Sequence, residues 1–186
     1  MELMLGPARL RTYLDAANGD PVRTQELYLW VTDLAGALHS QISFVELAVR
    51  NAIDPQLAAW NAAEGFSKDW TANKQAAPLL YGLMKKPLPT ARDWAHREAN
   101  DRAAGHPRHA AGVSHDDVVA QLMFGAWVKL VRPISPKEPA SRQQQLWKEV
   151  LWRAFPYADP TDSGRVATGN QLEAFRRLRT VSTSTT

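Results

Sequence analysis

The chain has 186 residues, of which 45% are hydrophobic and seven are tryptophan, and it carries a formal net charge of +3. That length supplies one domain with a sizeable core, and the composition excludes disorder as a description of most of the chain. The absence of cysteine excludes disulfides and thiolate metal sites and fits a reducing compartment, while the mildly basic balance is compatible with a polyanionic partner without requiring one.

No run approaches the roughly 18 consecutive apolar residues of a membrane span. The opening MELMLGPARLR has neither the basic nor the long apolar region of a secretory signal. The chain therefore reads as cytoplasmic, with no membrane partner.

Pro7 at a first-turn position starts a short helix with Leu10, Tyr13 and Leu14 on one face, and Gly19 ends it. Asp20 as N-cap and Pro21 at the first helical position open a second helix expected to run to about Ile53, close to 50 Å at about 1.5 Å per residue. Leu27, Val31, Leu34, Leu38, Ile42, Val45, Val49 and Ala52 recur at helical spacing and form its expected core-facing stripe. His39, Ser43, Glu46 and Arg50 form a polar stripe beside it, in which Glu46 and Arg50 can pair across one turn.

Pro55 pushes Asp54 away from the α region, so a break or kink is expected there, with QLAAWNAAEG as one or two further turns. Between Phe66 and Pro89 three prolines predict loops and short helical pieces, QAAPLLYGLMKK being the best of them. TARDWAHREANDRAAG predicts a mostly exposed helix ending at Gly105. Ser114 with Asp117 three residues on is a capping box, opening a single central apolar helix over DVVAQLMFGAWVKLV.

ISPKEPAS is a proline-rich loop. SRQQQLWKEVLWRAF predicts a serine-capped helix closed by Pro156, and a last helix covers Val166 to Arg179 with a frayed tail after it. Leu172, Phe175, Leu178 and Arg179 share one face of that helix, while Arg177 points the other way. An arginine on a packed face is costly unless it is paired or functional, which singles out Arg179. Arg165, Arg176, Arg177 and Arg179 together also have a plain reading as a solvated basic face.

No repeat, glycine-rich phosphate loop or nucleophile elbow is present. His106 and His109 flank Pro107 without the spacing or nearby carboxylates of a metal site, so no metal and no cofactor is expected.

RLRTYLDAANGD, ELYLW and SFVELAVRNAI resemble the opening of the Abi-like abortive-infection proteins, bacterial phage-defence proteins of the HEPN superfamily. DDVVAQLMFGAWVKLV and LWKEVLWRAFP resemble that family's central and following segments, and the blocks lie in order from Arg9 to Arg179. The resemblance implies an all-α, HEPN-like helical bundle with one very long second helix, forming a single domain over residues 1–186 with a frayed tail from about residue 180. It also implies metal-independent RNA cleavage, a homodimer, and an antitoxin as a possible partner.

Members of the family end on an RxxxxH motif. Here Arg179 takes the arginine position, Thr180 stands where asparagine is usual, and Ser184 occupies the histidine position. In the family the histidine assists attack by the ribose 2′-hydroxyl and the arginine stabilises the phosphate. A serine hydroxyl cannot act as a general base near neutral pH, and loss of one such group costs about 10²–10⁴-fold in rate.

The resemblance thus implies a ribonuclease scaffold that is inactive in this chain, its low-complexity ending reading as a truncated or frameshifted motif. Arg179 would be the catalytic arginine, with Arg50, Asn51, Glu46 and Arg176 as RNA- or phosphate-binding residues. Against this stands the reading of Glu46 and Arg50 as a surface pair worth about 0.3–0.5 kcal/mol, and of Asn51 as a local hydrogen-bonding residue. The alternative function is a non-enzymatic helical protein- or RNA-binding module, antitoxin-like or a pseudo-enzyme. An apolar patch around Trp60, Trp70 or Trp94 with no basic cleft would favour it.

Overall fold

The computed structural model describes residues 6–133, 135 and 139–184, with side chains up to Arg179. The described residues are all-α, without strands: α1 (Pro7–Ala16), α2 (Pro21–Ala63), α3 (Pro78–Met84), α4 (Pro87–Asn100), α5 (His115–Gln121), α6 (Phe124–Val131), α7 (Ser141–Glu149), a 3-10 turn (Leu151–Ala154) and α8 (Asp162–Ser184). The very long second helix expected from the resemblance is present and spans 43 residues. Among the described residues no helix is long and apolar enough to cross a membrane.

The chain divides into two compact units, one of residues 1–44 with those from Arg179 onward, the other Val45–Leu178. In the smaller unit, Leu10, Tyr13 and Leu14 of α1 are half-buried on one face. The rings of Tyr13 and Tyr28 meet edge-to-face at 5.7 Å. Gly19, at φ 79°, ends α1 with its N–H donated to the Leu14 carbonyl at 2.8 Å. Asp20 caps α2, its Oδ1 accepting from the N–H groups of Val22 at 2.9 Å and Arg23 at 3.2 Å.

The expected core stripe of α2 divides in two. Ile42 and Val49 are buried, but Leu34 and Leu38 are 41% and 38% exposed, beside Trp30 at 61%. Helical periodicity marks which side of a helix is apolar and says nothing of what covers it.

Pro55 does not break α2, which continues to Ala63. A proline inside a helix costs about 3 kcal/mol because it removes an N–H and crowds the preceding turn. Here Ile53 and Leu57, fully buried on either side of it, hold the helical path. Trp70 supports the same turn, donating from Nε1 to Asp54 Oδ1 at 2.8 Å.

The larger unit is built on a core of Ile53, Leu57, Trp70, Leu80, Leu83, Leu88, Trp127, Leu130, Leu146 and Trp147. Two of the three prolines of the 78–89 stretch open helices at Pro78 and Pro87. α4 buries only Leu88, Ala91 and Ala95, and it ends at Asn100 rather than Gly105. The capping box is present as expected: Ser114 Oγ accepts from the Asp117 N–H, and the Asp117 carboxylate accepts from the Ser114 N–H.

The single central helix is instead two. Leu122 and Met123 adopt extended backbone (ψ 116° and 151°) between α5 and α6. An apolar run this dense has no polar face to leave in water, and the bend lets α5 lie on α4 while α6 lies on α3 and α7. Leu122 and Phe124 are buried, and the exposed Met123 takes the corner.

Ser141 is the first helical residue of α7 rather than its cap, because the turn closes on the Ala140 carbonyl, which accepts from Gln144 N at 2.9 Å. Val150 interrupts that helix at φ −146°, and the tighter 3-10 turn after it sets Leu151 and Ala154, three apart, on the core. α8 starts four residues before the expected position and extends to Ser184. Leu172 is buried and Phe175 half-buried, whereas Leu178 is exposed, so the packed face of α8 fades after Phe175.

Candidate functional site

The polar stripe of α2 gathers three of the residues expected to bind phosphate. Glu46 and Arg50 are half-buried and Asn51 is exposed. Arg50 Nε is buried with no hydrogen-bond partner among the described residues, so pairing with Glu46 across the turn does not satisfy it. A buried donor on a charged group that lacks a partner is among the costlier states a side chain can hold, and an anionic oxygen relieves it. His39, two and three turns earlier on the helix than these residues, is exposed, and its carbonyl accepts from Ser43 Oγ at 2.9 Å.

Arg176 occupies a different place, on α8. Its Nε and Nη2 donate to the two carboxylate oxygens of Glu173 at 2.7 and 2.8 Å, a two-pronged pairing that any phosphate would have to displace. Arg177 Nε adds a third bond to Glu173 at 3.1 Å. The Arg176 bonds in particular hold the Glu173 carboxyl down at about 2. Arg165, grouped by sequence with a solvated basic face, is instead 3% exposed. It donates to Asp162 at 2.6 Å and to the Val131 carbonyl at 2.8 Å.

Arg179 is half-buried on α8 and belongs to the smaller unit, while Glu46, Arg50, Asn51 and Arg176 belong to the larger. Ser184, which the resemblance would set at a histidine position, is the last residue of α8, and its side chain lies outside the described residues.

Sequence reasoning passed over a dense polar cluster. His115, the first residue of α5, sets Nε2 2.9 Å from Asp54 Oδ1 on α2, and Nδ1 3.0 Å from both Asp69 Oδ1 and Thr71 Oγ1. Thr71 Oγ1 also donates to Asp69 at 2.7 Å, and Arg92 of α4 donates to the carbonyls of Thr71 and Ala72. Burial draws the imidazole pKa down, but the hydrogen bonds and charges of Asp54 and Asp69 outweigh it, and the net shift is upward. Asp69, despite its own burial, is lowered by its bonds from Thr71 and His115.

Comparison with known proteins finds no matching family model, no matching curated protein and no matching solved structure.

The chemistry of the site therefore rests on the residues themselves. Among the described residues no group of three or more His, Asp or Glu side chains is arranged to hold a metal ion. The two histidines of the 106–109 loop serve its backbone: His106 Nδ1 accepts from Arg108 N at 3.1 Å, and His109 Nδ1 meets the Arg102 carbonyl at 2.7 Å. Arg108 clamps the Asp117 carboxylate with two bonds of 2.7 Å, and Arg102 adds one of 3.1 Å, fixing the start of α5 and so the position of His115. Of the three tryptophans weighed for a docking patch, Trp70 is fully buried, Trp60 donates to Glu149 at 3.1 Å, and Trp94 is exposed.

Proposed function

We propose that the chain is an abortive-infection-type, HEPN-like phage-defence protein that binds RNA through an arginine-lined seat and, lacking the motif histidine, cuts it slowly or not at all. In this reading Arg50 takes phosphate on α2 with Asn51 and Glu46 beside it in sequence, Arg179 of α8 takes the role of the motif arginine, and Arg176 joins only when it exchanges Glu173 for a phosphate. The protein acts in the cytoplasm as a homodimer, with an antitoxin as a further partner. The sequence blocks from Arg9 to Arg179 and the long second helix support the resemblance. The observation that carries the reading is the buried Nε of Arg50, a cationic donor for which the described residues supply no acceptor.

The test is binding of a fluorescent single-stranded RNA across a salt series. Arg50→Ala and Arg179→Glu should each weaken binding and reduce the dependence of log K on log salt by about one phosphate contact. Unchanged affinity and slope in both variants would remove the phosphate seat. Restoring the family ending, with Thr180→Asn and Ser184→His together, should bring back RNA cleavage and growth inhibition if the missing imidazole is the only defect.

A second reading, a protein-binding helical module, draws on the exposed Trp30, Leu34 and Leu38 of α2. It would be favoured by a chain that binds no RNA but loses a protein partner on Trp30→Ala.

A further inference from the structure

The cluster around His115 does more than fill space. Residues 67–76 carry no helix or strand, and they are tied to the rest of the larger unit at a few points. Asn61 holds the carbonyls of Ser67 and Gln75, Trp70 reaches Asp54, Arg92 holds two carbonyls, and Asp69 with Thr71 meets His115. Only the last of these ties contains a group that titrates near neutral pH.

The groups facing the imidazole are few and come from each element packed on it. Asp54 comes from α2, while Asp69, Thr71 and the Trp70 ring, its centroid 5.8 Å from that of the imidazole, come from the 67–76 segment. Arg92 of α4 acts on Asp69.

A protonated imidazole has two N–H donors and serves both carboxylates at once. A neutral one has a single N–H. If that proton stays on Nε2 toward Asp54, Nδ1 becomes an acceptor, and the hydroxyl that can donate to it is Thr71 Oγ1. The same hydroxyl proton now serves Asp69. Loss of one proton therefore removes two of the bonds that Asp69 accepts, one from His115 and one from Thr71 Oγ1. What remains to Asp69 is its own turn, the N–H groups of Thr71 and Ala72 at 3.2 and 3.0 Å. The turn stays intact but is no longer fastened to α5.

We propose that His115 is a proton-operated clasp: charged, it fastens residues 67–76 to α2 and α5 through Asp54 and Asp69, and neutral, it lets that segment loosen while Thr71 turns from Asp69 to Nδ1. The clasp closes on acidification toward mildly acidic pH and opens as pH rises through the imidazole's titration in the folded chain. The raised pKa of His115 and the lowered pKa of Asp69 have the signs such a bridge requires.

The experiment follows protection factors from amide hydrogen exchange in residues 67–76, corrected for intrinsic exchange, together with the imidazole Cε1 resonance that disappears in His115→Gln. In the unaltered protein, protection in that segment should fall along the same curve as the His115 titration. The fall should be about tenfold for each unit by which that titration lies above the free-imidazole value. Asp69→Asn, which alters a partly exposed side chain and leaves the core untouched, should lower the titration of His115 and flatten the pH dependence of protection. A His115→Gln chain should show low protection at every pH. Protection in the unaltered protein that stays level through the His115 titration would overturn the clasp, and so would an Asp69→Asn protein that keeps the full pH dependence.

Discussion

Asn61→Leu should destabilise the larger unit by about 3–5 kcal/mol, a large effect from one uncharged side chain. Asn61 is fully buried at the last turns of α2. Its Nδ2 donates to the carbonyls of Ser67 at 2.6 Å and Gln75 at 2.7 Å, and its Oδ1 accepts from the Ala77 N–H at 2.8 Å. One amide thereby closes both ends of the 67–77 segment on the helix. Leucine keeps the branching and the number of heavy atoms, so the change chiefly removes polar partners, its bulkier methyl groups adding to the cost at a fully buried position. Ala77 is buried and its N–H has no route to water, which puts its loss near the top of the roughly 1–3 kcal/mol for an unsatisfied buried group. Ser67 and Gln75 are half-buried and recover part of their loss from solvent, about 1 kcal/mol each remaining. Urea unfolding followed by circular dichroism measures the sum, and the midpoint of thermal unfolding should fall by roughly 10 °C for a chain of this size. A loss below about 1 kcal/mol would refute the view that this amide organises the segment.

Ser114→Ala removes the acceptor for the Asp117 N–H at the start of α5 and should cost about 1 kcal/mol in urea unfolding, within the range usual for such caps. Gly164→Ala would place a Cβ 1.9 Å from the Asp159 carbonyl oxygen, so the loop before α8 must move, at about 1–3 kcal/mol read as a lower melting temperature. Stability should also fall in acid between about pH 4 and pH 2. The folded-state pKa of Glu173, held down at about 2 by Arg176, lies below its unfolded value, so its contribution is complete above the unfolded value and lost as pH falls through the folded one. Glu173→Gln should flatten that part of the pH profile.

The sequence disclosed those parts of the fold whose cause is local. Pro7, Asp20 with Pro21, and Ser114 with Asp117 each act on backbone groups within three or four positions, and each stands where its spacing placed it. The continuation of α2 through Pro55 was not legible, because what supports it is the burial of Ile53 and Leu57 and a bond from Trp70. His115 was passed over for the same reason: its partners Asp69 and Asp54 lie 46 and 61 positions away, and no spacing rule joins them. Glu173, by contrast, was in plain view. An acid three residues before Arg176 on a helix is a ready partner that spacing alone marks. The polar stripe of α2 was legible as a stripe, but the burial of the Arg50 Nε is a property of packing alone.

The prominence of His115 raises the question of whether it could act as the base that the proposed function takes to be missing at position 184. A general base needs a free lone pair within reach of the proton it takes. In His115 both ring nitrogens are engaged, each beside a carboxylate, and those carboxylates favour the charged form, which has no lone pair to offer. Releasing Nδ1 by deprotonation hands it to the Thr71 hydroxyl already 3.0 Å away. His106 and His109 are committed to the loop that carries them. The proposed reading therefore predicts a separation of binding from chemistry: the chain as it stands should retard RNA in a native gel and leave its length unchanged after prolonged incubation. His115→Gln should alter neither result. Cleavage by the unaltered chain that is lost in His115→Gln would show that the imidazole of α5 acts as a base and not as a fastening.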